Sequence, residues 1–501
     1  MPFHHPRRPR VLAALFPLAC SITMGQTACS PGGGSPSTPA PEHLAYTIRS
    51  ATYVTGTEIM ADAPHHDGGP IDHYHITPHL PPGLNLDPLT GIISGRPNAS
   101  RPPTTYMVTG SNHSGAAFDR LELTVVDAVP APAALNTART FHTGTLLQDG
   151  RVLLAGGLTS TGPSASAEIF DPATGAFAAA GSMGTPRMIH DAARLADGTV
   201  LVLGGFDGAQ PGAAAERFDP ASGAFVPAPD MTSPRMYFTA TVLMSGKVLV
   251  TGGYADMVGG PLTSAEIYDP AKGAFTPTGS LRFARGGHSA TLLSDGRVLI
   301  AGGFDATHTL MTSAEIYDPA KGTFSDTAAM STARGSHSAT LLGSGKVLIA
   351  GGYGAGAPVV ASAELFDPAK GTFAPTGSLA TARGSQNAAL LPDGCVLISG
   401  GDDGASPFAS LELYDPATGG FIPAGSFVTA RTNDSATLLP DGMVLSAGGF
   451  DSGMMASSAA ELFDPATGGI HACTPGQSAH AQRPRELWPN GLDLRPSFFR
   501  P

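Results

Sequence analysis

The sequence is short of cysteine, tryptophan and charge. Only four cysteines and one tryptophan stand among 501 residues, and Asp, Glu, Lys and Arg together make 14%. After the first 30 residues only Cys395 and Cys473 remain, so no disulfide framework and no CxxC metal site can form, and stability must come from burial and strand pairing. Basic residues number 28 against 40 acids, a formal net charge of −12, which argues against a nucleic-acid partner. Beyond the N-terminus no apolar run is long enough to span a bilayer. What the chain does have is glycine (64), proline (45) and 42% hydrophobic residues. That mixture suits many short strands joined by tight turns around buried cores, an all-β protein.

Residues 1–28 have the grammar of a signal peptide: Arg7, Arg8 and Arg10, then an apolar run from Val11 to Ile22, then small residues up to Ala28. Thr27-Ala28-Cys29 resembles a bacterial lipoprotein site, with Gln26 where leucine is usual, and the resemblance implies lipidation of Cys29. A flexible Gly/Ser/Pro linker follows, over 29–43. The chain is therefore expected to be exported, either as an envelope lipoprotein at the outer membrane or cell surface or as a secreted protein, touching a membrane only through that anchor. A mature chain starting at Cys29 would carry a charge of about −15.

Residues 44–127 alternate short strands with turn residues, such as Asp67-Gly68-Gly69-Pro70 and Leu80-Pro81-Pro82-Gly83, at the size of a small β-sandwich. The segment Leu80 to Pro97, with Asp87-Pro88-Leu89-Thr90-Gly91 at its centre, resembles the signature of Ig-like domains of bacterial surface proteins. Tyr106 to Asn112 and Leu121 to Val126 match the closing strands of that family. Such domains act as spacers or adhesive modules. Alternation puts His73 and His75 on one face of a strand, near His65, His66 and His79, and a solvated histidine-rich face accounts for them without a metal.

From Thr137 onward the sequence repeats seven times with a period near 49. An arginine opens each unit (Arg139, Arg187, Arg235, Arg285, Arg334, Arg383, Arg431), and a Gly-Gly pair begins 17 residues later, at Gly156, Gly204, Gly252, Gly302, Gly351, Gly400 and Gly448. Next comes a glutamate (Glu168, Glu216, Glu266, Glu315, Glu364, Glu412, Glu461), followed three residues on by Asp-Pro. Only the interval from Gly-Gly to Glu is elastic, at 12 to 14 residues. In the unit from Arg285, Ser294-Asp295-Gly296 between two apolar runs predicts a hairpin with positive φ at both central residues. Ser313 to Tyr317 then alternates as a third strand, and Thr323 starts a fourth.

The double glycine, the aromatic-Asp-Pro third strand and the spacing resemble the kelch repeat, with phenylalanine (Phe177, Phe225, Phe275, Phe324, Phe373, Phe421) where tryptophan is usual. Four strands per repeat and seven repeats imply a seven-bladed kelch-type β-propeller over 129–470, preceded by the small Ig-like β-sandwich, with a disordered tail over 471–501. Val129 to Leu135 aligns with fourth strands such as Phe225 to Met231. It is expected to supply the outer strand of the last blade and latch the ring, Gly469-Ile470 being a poor fourth strand.

The arginine and glutamate recur in every blade, so they read as a structural ion pair or hydrogen bond between neighbouring blades. His142, His190, His288 and His337, three residues after the arginine, read as polar lining of the pore. The elastic loops are the recognition candidates, because a rigid scaffold with one variable loop per unit displays contacts on one face. Their first residues (Leu158, Phe206, Tyr254, Phe304, Tyr353, Asp402, Phe450) are mostly aromatic and suit packing between blades. The expected ligand contacts are Asp207, Gln210, Asp256, Asp305, His308, Asp402, Asp403 and Asp451.

No catalytic constellation is evident, and no metal or cofactor is expected. The resemblance to kelch propellers brings in the copper enzyme galactose oxidase, but its tyrosine crosslinked to cysteine, with tyrosine and histidine copper ligands, has no counterpart around Cys395. A sialic-acid mutarotase of bacterial kelch type, which needs no cofactor, is the stronger enzyme alternative. The expected function is an exported, monomeric, non-enzymatic binding or adhesion protein that recognises an extracellular protein or glycan through its propeller loops.

Overall fold

The structure, a computed structural model, describes residues 38–46, 48–56, 59, 61–126, 132–465 and 467–472. The leader, Cys29, most of the linker, and Cys473 with the tail after it lie outside the described residues. All regular elements among the described residues are strands. No helix there is long and apolar enough to cross a membrane. The chain divides into two compact units.

In the N-terminal unit, strands Ser50–Val54, Gly115–Val126, Arg101–Asn112 and His73–Thr77 form one sheet in that order. Pro41–Tyr46 pairs with Pro64–Gly68, and Leu84–Leu86 with Ile93–Gly95. Period-two alternation turns one face inward, so Tyr106, Val108, Leu121, Leu123 and Val125 are buried. His73 and His75 lie on the exposed face of their strand, opposite the buried Tyr74 and Ile76. The Leu80 to Pro97 signature is a hairpin whose turn is capped by Asp87: its Oδ1 accepts from the Leu89 and Thr90 amides at 2.8 and 2.9 Å. Gly91 has φ +74°, and a Cβ there would lie 2.6 Å from the Tyr74 ring, so the turn needs glycine.

The second unit contains seven four-stranded antiparallel sheets. In blade 4 the strands, from the axis outward, are Ser289–Leu292, Val298–Ala301, Ala314–Asp318 and Thr323–Asp326. The hairpin after the first strand has one positive-φ residue rather than the two expected. Gly296 takes φ +86°, and the turn is closed by Gly296 N–H donating to Leu293 O at 3.0 Å, with Asp295 Oδ1 capping the Arg297 amide. The second strand is buried on both faces because blades stack. Leu299 and Ala301 pack with Val347 and Ile349 of blade 5, while Val298 and Ile300 pack with Leu243 and Leu249 of blade 3. The phenylalanine in the tryptophan position lies against the third-strand aromatic, as in Tyr317 and Phe324, with centroids 4.8 Å apart.

The inner strands neighbour one another in sequence order, and Ser435–Leu438 of blade 7 lies beside Thr143–Leu146 of blade 1, so the ring is closed. The latch differs from expectation. Gly469–Ala472 forms the outer strand of blade 7, in register with Ala460–Asp464 from Asp464↔Gly469 to Glu461↔Ala472. A strand one short turn away closes a much smaller loop than one more than 300 residues distant, and the local hairpin wins. Residues 129–131 lie outside the described residues. The segment after them serves as a connector: Leu135 N–H donates to Ser458 O at 2.9 Å, as Met330 N–H does to Thr312 O, and Leu135 is buried between blades 7 and 1.

Candidate functional site

Each blade arginine is committed to the scaffold. Arg285 Nη1 donates to Gly302 O and Ser313 O at 2.8 and 3.0 Å, and its Nη2 to Ser313 Oγ and Glu315 Oε1 at 3.0 and 2.8 Å. Glu315 also accepts the Arg282 amide at 2.8 Å. The ion pair therefore lies within one blade, not between neighbours as expected. One link between blades is carried by backbone: Gly303 N–H donates to Arg334 O of the next blade at 2.9 Å. A Cβ on Gly302 would sit 2.4 Å from that same carbonyl, which is why the pair is Gly-Gly. The pairs from Arg139–Glu168 to Arg431–Glu461 repeat around the ring with arginine side chains at most 2% exposed.

The ring histidines do not line the pore. His142, His190 and His288 are buried, and each of the four sends Nε2 to a hydroxyl of the preceding blade. The partners are Ser435 at 3.0 Å, Thr143 at 3.1 Å, Thr239 at 3.1 Å and, for His337, Ser289 at 2.8 Å. Gln386 makes the equivalent contact to Ser338. Burial, then the adjacent arginine, holds His142 and His337 down to about 3. His190 and His288 are lowered well below the usual imidazole value for the same reasons. Neutral imidazole stitches the blades together.

The residue two after each blade arginine, just before the histidine position, builds the mouth of the propeller. Phe141, Ile189, Tyr237, Gly287, Ser336, Ser385 and Asn433 all take φ between 47° and 61°. This left-handed conformation costs about 1–3 kcal/mol at a non-glycine residue and is most unusual for β-branched Ile189. It is held by amide-to-carbonyl bonds running from blade to blade. Ile189 donates to Phe141, Gly287 to Tyr237, Ser336 to Gly287, Ser385 to Ser336 and Phe141 to Asn433, at 2.9 to 3.1 Å. Sequence reasoning missed this ring.

All of these but Gly287 line an open cavity of about 1070 Å³, mouth included, together with residues of the loops after Gly-Gly in blades 2, 3, 4, 5 and 7. One side is apolar: Met188, Phe206, Met236 and Tyr254 form a cluster against which Phe141, Ile189 and Tyr237 pack. The other is polar, with Ser336, Ser385, Thr432 and Asn433. Behind it Tyr353 Oη donates to Asp402 at 3.0 Å, Thr432 Oγ1 to Asp402 at 2.7 Å and the Gly404 amide at 2.8 Å. Burial raises the Asp402 carboxyl above its usual value.

Of the expected contacts, Asp256 and His308 line this cavity, and His308 stacks on Tyr254 with centroids 6.2 Å apart. Asp402 stands behind the wall. The carboxylates of Asp207, Asp305, Asp403 and Asp451 each cap their own loop by accepting from amides two to four residues on, and Gln210 supplies one of those amides. Asp256 also caps its loop, through the Val258 amide. The residues after Gly-Gly pack between blades, and Phe206, Tyr254, Tyr353 and Phe450 also reach the cavity wall.

Two family models match. Residues 34–126 match "Putative Ig domain", and 192–232, 235–282 and 285–331 match "Kelch motif". The repeats are kelch repeats. No curated protein matches the sequence. Among solved structures the kelch propeller is similar to a fungal alcohol oxidase of the AA5 family in complex with copper. The TM-score is 0.54 at 20% identity, over 66% of this chain and 74% of that one. That likeness shows the fold. The residues at this mouth do not fit the copper centre: His308 is the one histidine of the cavity, and the ring histidines are spent between blades. Cys395, half-buried, packs against the cluster of Leu391 and Leu397 in blade 6, away from the cavity tyrosines. Among the described residues no group of three or more His, Cys, Asp or Glu side chains could hold a metal ion.

Proposed function

We infer that this protein is an exported recognition module without catalytic activity, and that its kelch propeller grips part of a protein or glycan partner at the mouth. The observation that carries the reading is the mouth cavity itself, walled by turns of the ring and loops of five blades, with Val258 at its rim 95% exposed beside Met257. An apolar side chain held out at the edge of a concave, partly polar pocket is the arrangement of a binding surface. Asp402, behind the polar wall, has its oxygens engaged by Tyr353, Thr432 and Gly404. A mutarotase acting on an acidic sugar would require a cation for the sugar carboxylate, and the described lining holds neither lysine nor arginine. Lipidation at Cys29 and the Ig-like domain would then serve to tether and space the propeller.

The test compares the full mature chain with its Val258→Asp variant on a glycan array and in capture from envelope extracts. A partner bound by the parent and lost by about tenfold or more in the variant is the expected result. Equal capture by both proteins would place recognition elsewhere.

A further inference from the structure

The cavity is one-sided in charge. Its described lining contains no basic side chain other than His308; Asp256 stands at the rim and Asp402 lies directly behind Tyr353. Six aromatic residues from five blades converge on it: Phe141, Phe206, Tyr237, Tyr254, Tyr353 and Phe450. Aromatic rings attract cations through their quadrupole. Tyr353 donates its hydroxyl hydrogen to both oxygens of Asp402, at 3.0 and 3.2 Å, which pushes electron density into the ring and strengthens that attraction. Tyr254 is 7% exposed and its hydroxyl has no hydrogen-bond partner among the described residues. Sulfur from Met236, Met257 and Met454 adds a polarisable surface. Such a lining is poor for anions, and it is also poor for strongly hydrated cations, because few polar groups replace their water. A cation whose charge is spread over alkyl groups loses little on desolvation and gains contact with the aromatic side of the cavity.

We propose that the mouth cavity binds an alkylated ammonium group of its partner, a methylated or quaternary nitrogen carrying no adjacent anion. This rests on the reading of the loop face as a recognition surface, and it names the chemistry that the surface selects.

The experiment is titration calorimetry of the full chain with choline and tetramethylammonium, set against 3,3-dimethylbutan-1-ol, the neutral carbon analogue of choline, and against phosphocholine. Choline should bind about tenfold more tightly than its neutral analogue, and phosphocholine more weakly than choline. Tyr237→Leu should lose about tenfold while Tyr237→Phe keeps the affinity. Should Tyr237→Leu melt earlier than the parent, Tyr353→Phe, which keeps the ring and removes its bond to Asp402, should still lose about threefold. Equal binding of choline and its analogue, or heat from neither, overturns the proposal. A trimethyl-lysine peptide bound more tightly than phosphocholine identifies a protein source for the group, and the reverse order overturns the requirement that no anion stand beside it. Capture of a partner that depends on Val258 without any ammonium binding would sink this inference alone and leave the recognition reading intact.

Discussion

Arg285→Met lowers the unfolding free energy of the propeller by about 3–5 kcal/mol, the range for breaking a buried ion pair from one side. The arginine and its partner Glu315 are 0% and 1% exposed in their side chains. Without the guanidinium, Glu315 keeps only backbone amides such as that of Arg282 to solvate its charge. Ser313 O and Gly302 O lose a charged donor at the same time. Adding Glu315→Gln should restore part of the loss, because it removes the stranded charge and leaves only unmet hydrogen bonds. Guanidinium denaturation of the three proteins measures this. A single variant with an unchanged midpoint would show that the seven pairs are ornament on a ring held by its aliphatic strands.

Acidification from pH 7 to pH 5 should destabilise the protein by several kcal/mol. Each ring histidine is neutral in the fold, with an imidazole lowered to about 3 at His142 and His337 and well below the usual value at His190 and His288. In the unfolded chain it titrates near 6.5. A base with a depressed folded value takes up protons only on unfolding. Its contribution is therefore complete above about pH 6.5 and falls as the pH drops toward the folded value, by about 1.4 kcal/mol per unit and per histidine. Asp191, pushed up to about 6 chiefly by burial, has the opposite sign and gains as the pH falls through 6. The Asp402 and Asp434 carboxyls are raised by burial too and work in the same direction. Four histidines outweigh these acids over this interval. Thermal melts at pH 7, 6 and 5 should therefore drop steadily. His288→Gln, copying Gln386 of blade 6, should flatten the slope by about one histidine's share. A melt that is level or rises toward pH 5 would show that the imidazoles are hydrated in the folded protein.

Much of the scaffold was legible because the repeat makes each statement seven times. The spacing from Arg285 to Gly302 to Glu315 marked a shared structural duty, and the structure gives those residues to one another. The direction of that duty was not legible, since a ring and a blade share the same period: the guanidinium turns into its own blade while the backbone carbonyl reaches the neighbour. The sequence pattern puts His288 on the innermost strand and so in the pore, yet it precedes Ser289–Leu292 and inserts between blades. The aspartates of the elastic loops were chosen for charge. Asp305 and Asp451 instead fold their own loops, and a carboxylate that caps a turn has the same sequence appearance as one that awaits a ligand. The latch failed because Gly469-Ile470 lacks side-chain signal, whereas backbone pairing in a short hairpin does not require any. The mouth ring was hidden for a different reason. Phe141, Ile189, Tyr237 and Ser336 share a conformation and no chemistry, so no residue pattern announces them.

The recognition reading turns on where a partner touches the propeller. Backbone hydrogen exchange of the full chain, with and without the partner that the array or capture returns, addresses this directly. Exchange should slow in the loops 254–261, 304–311 and 450–456 and at the turns of Tyr237 and Ser336, all of which border the mouth cavity. Protection confined to the outer strands, such as Thr323–Asp326, or to the Ig-like domain would contradict the account.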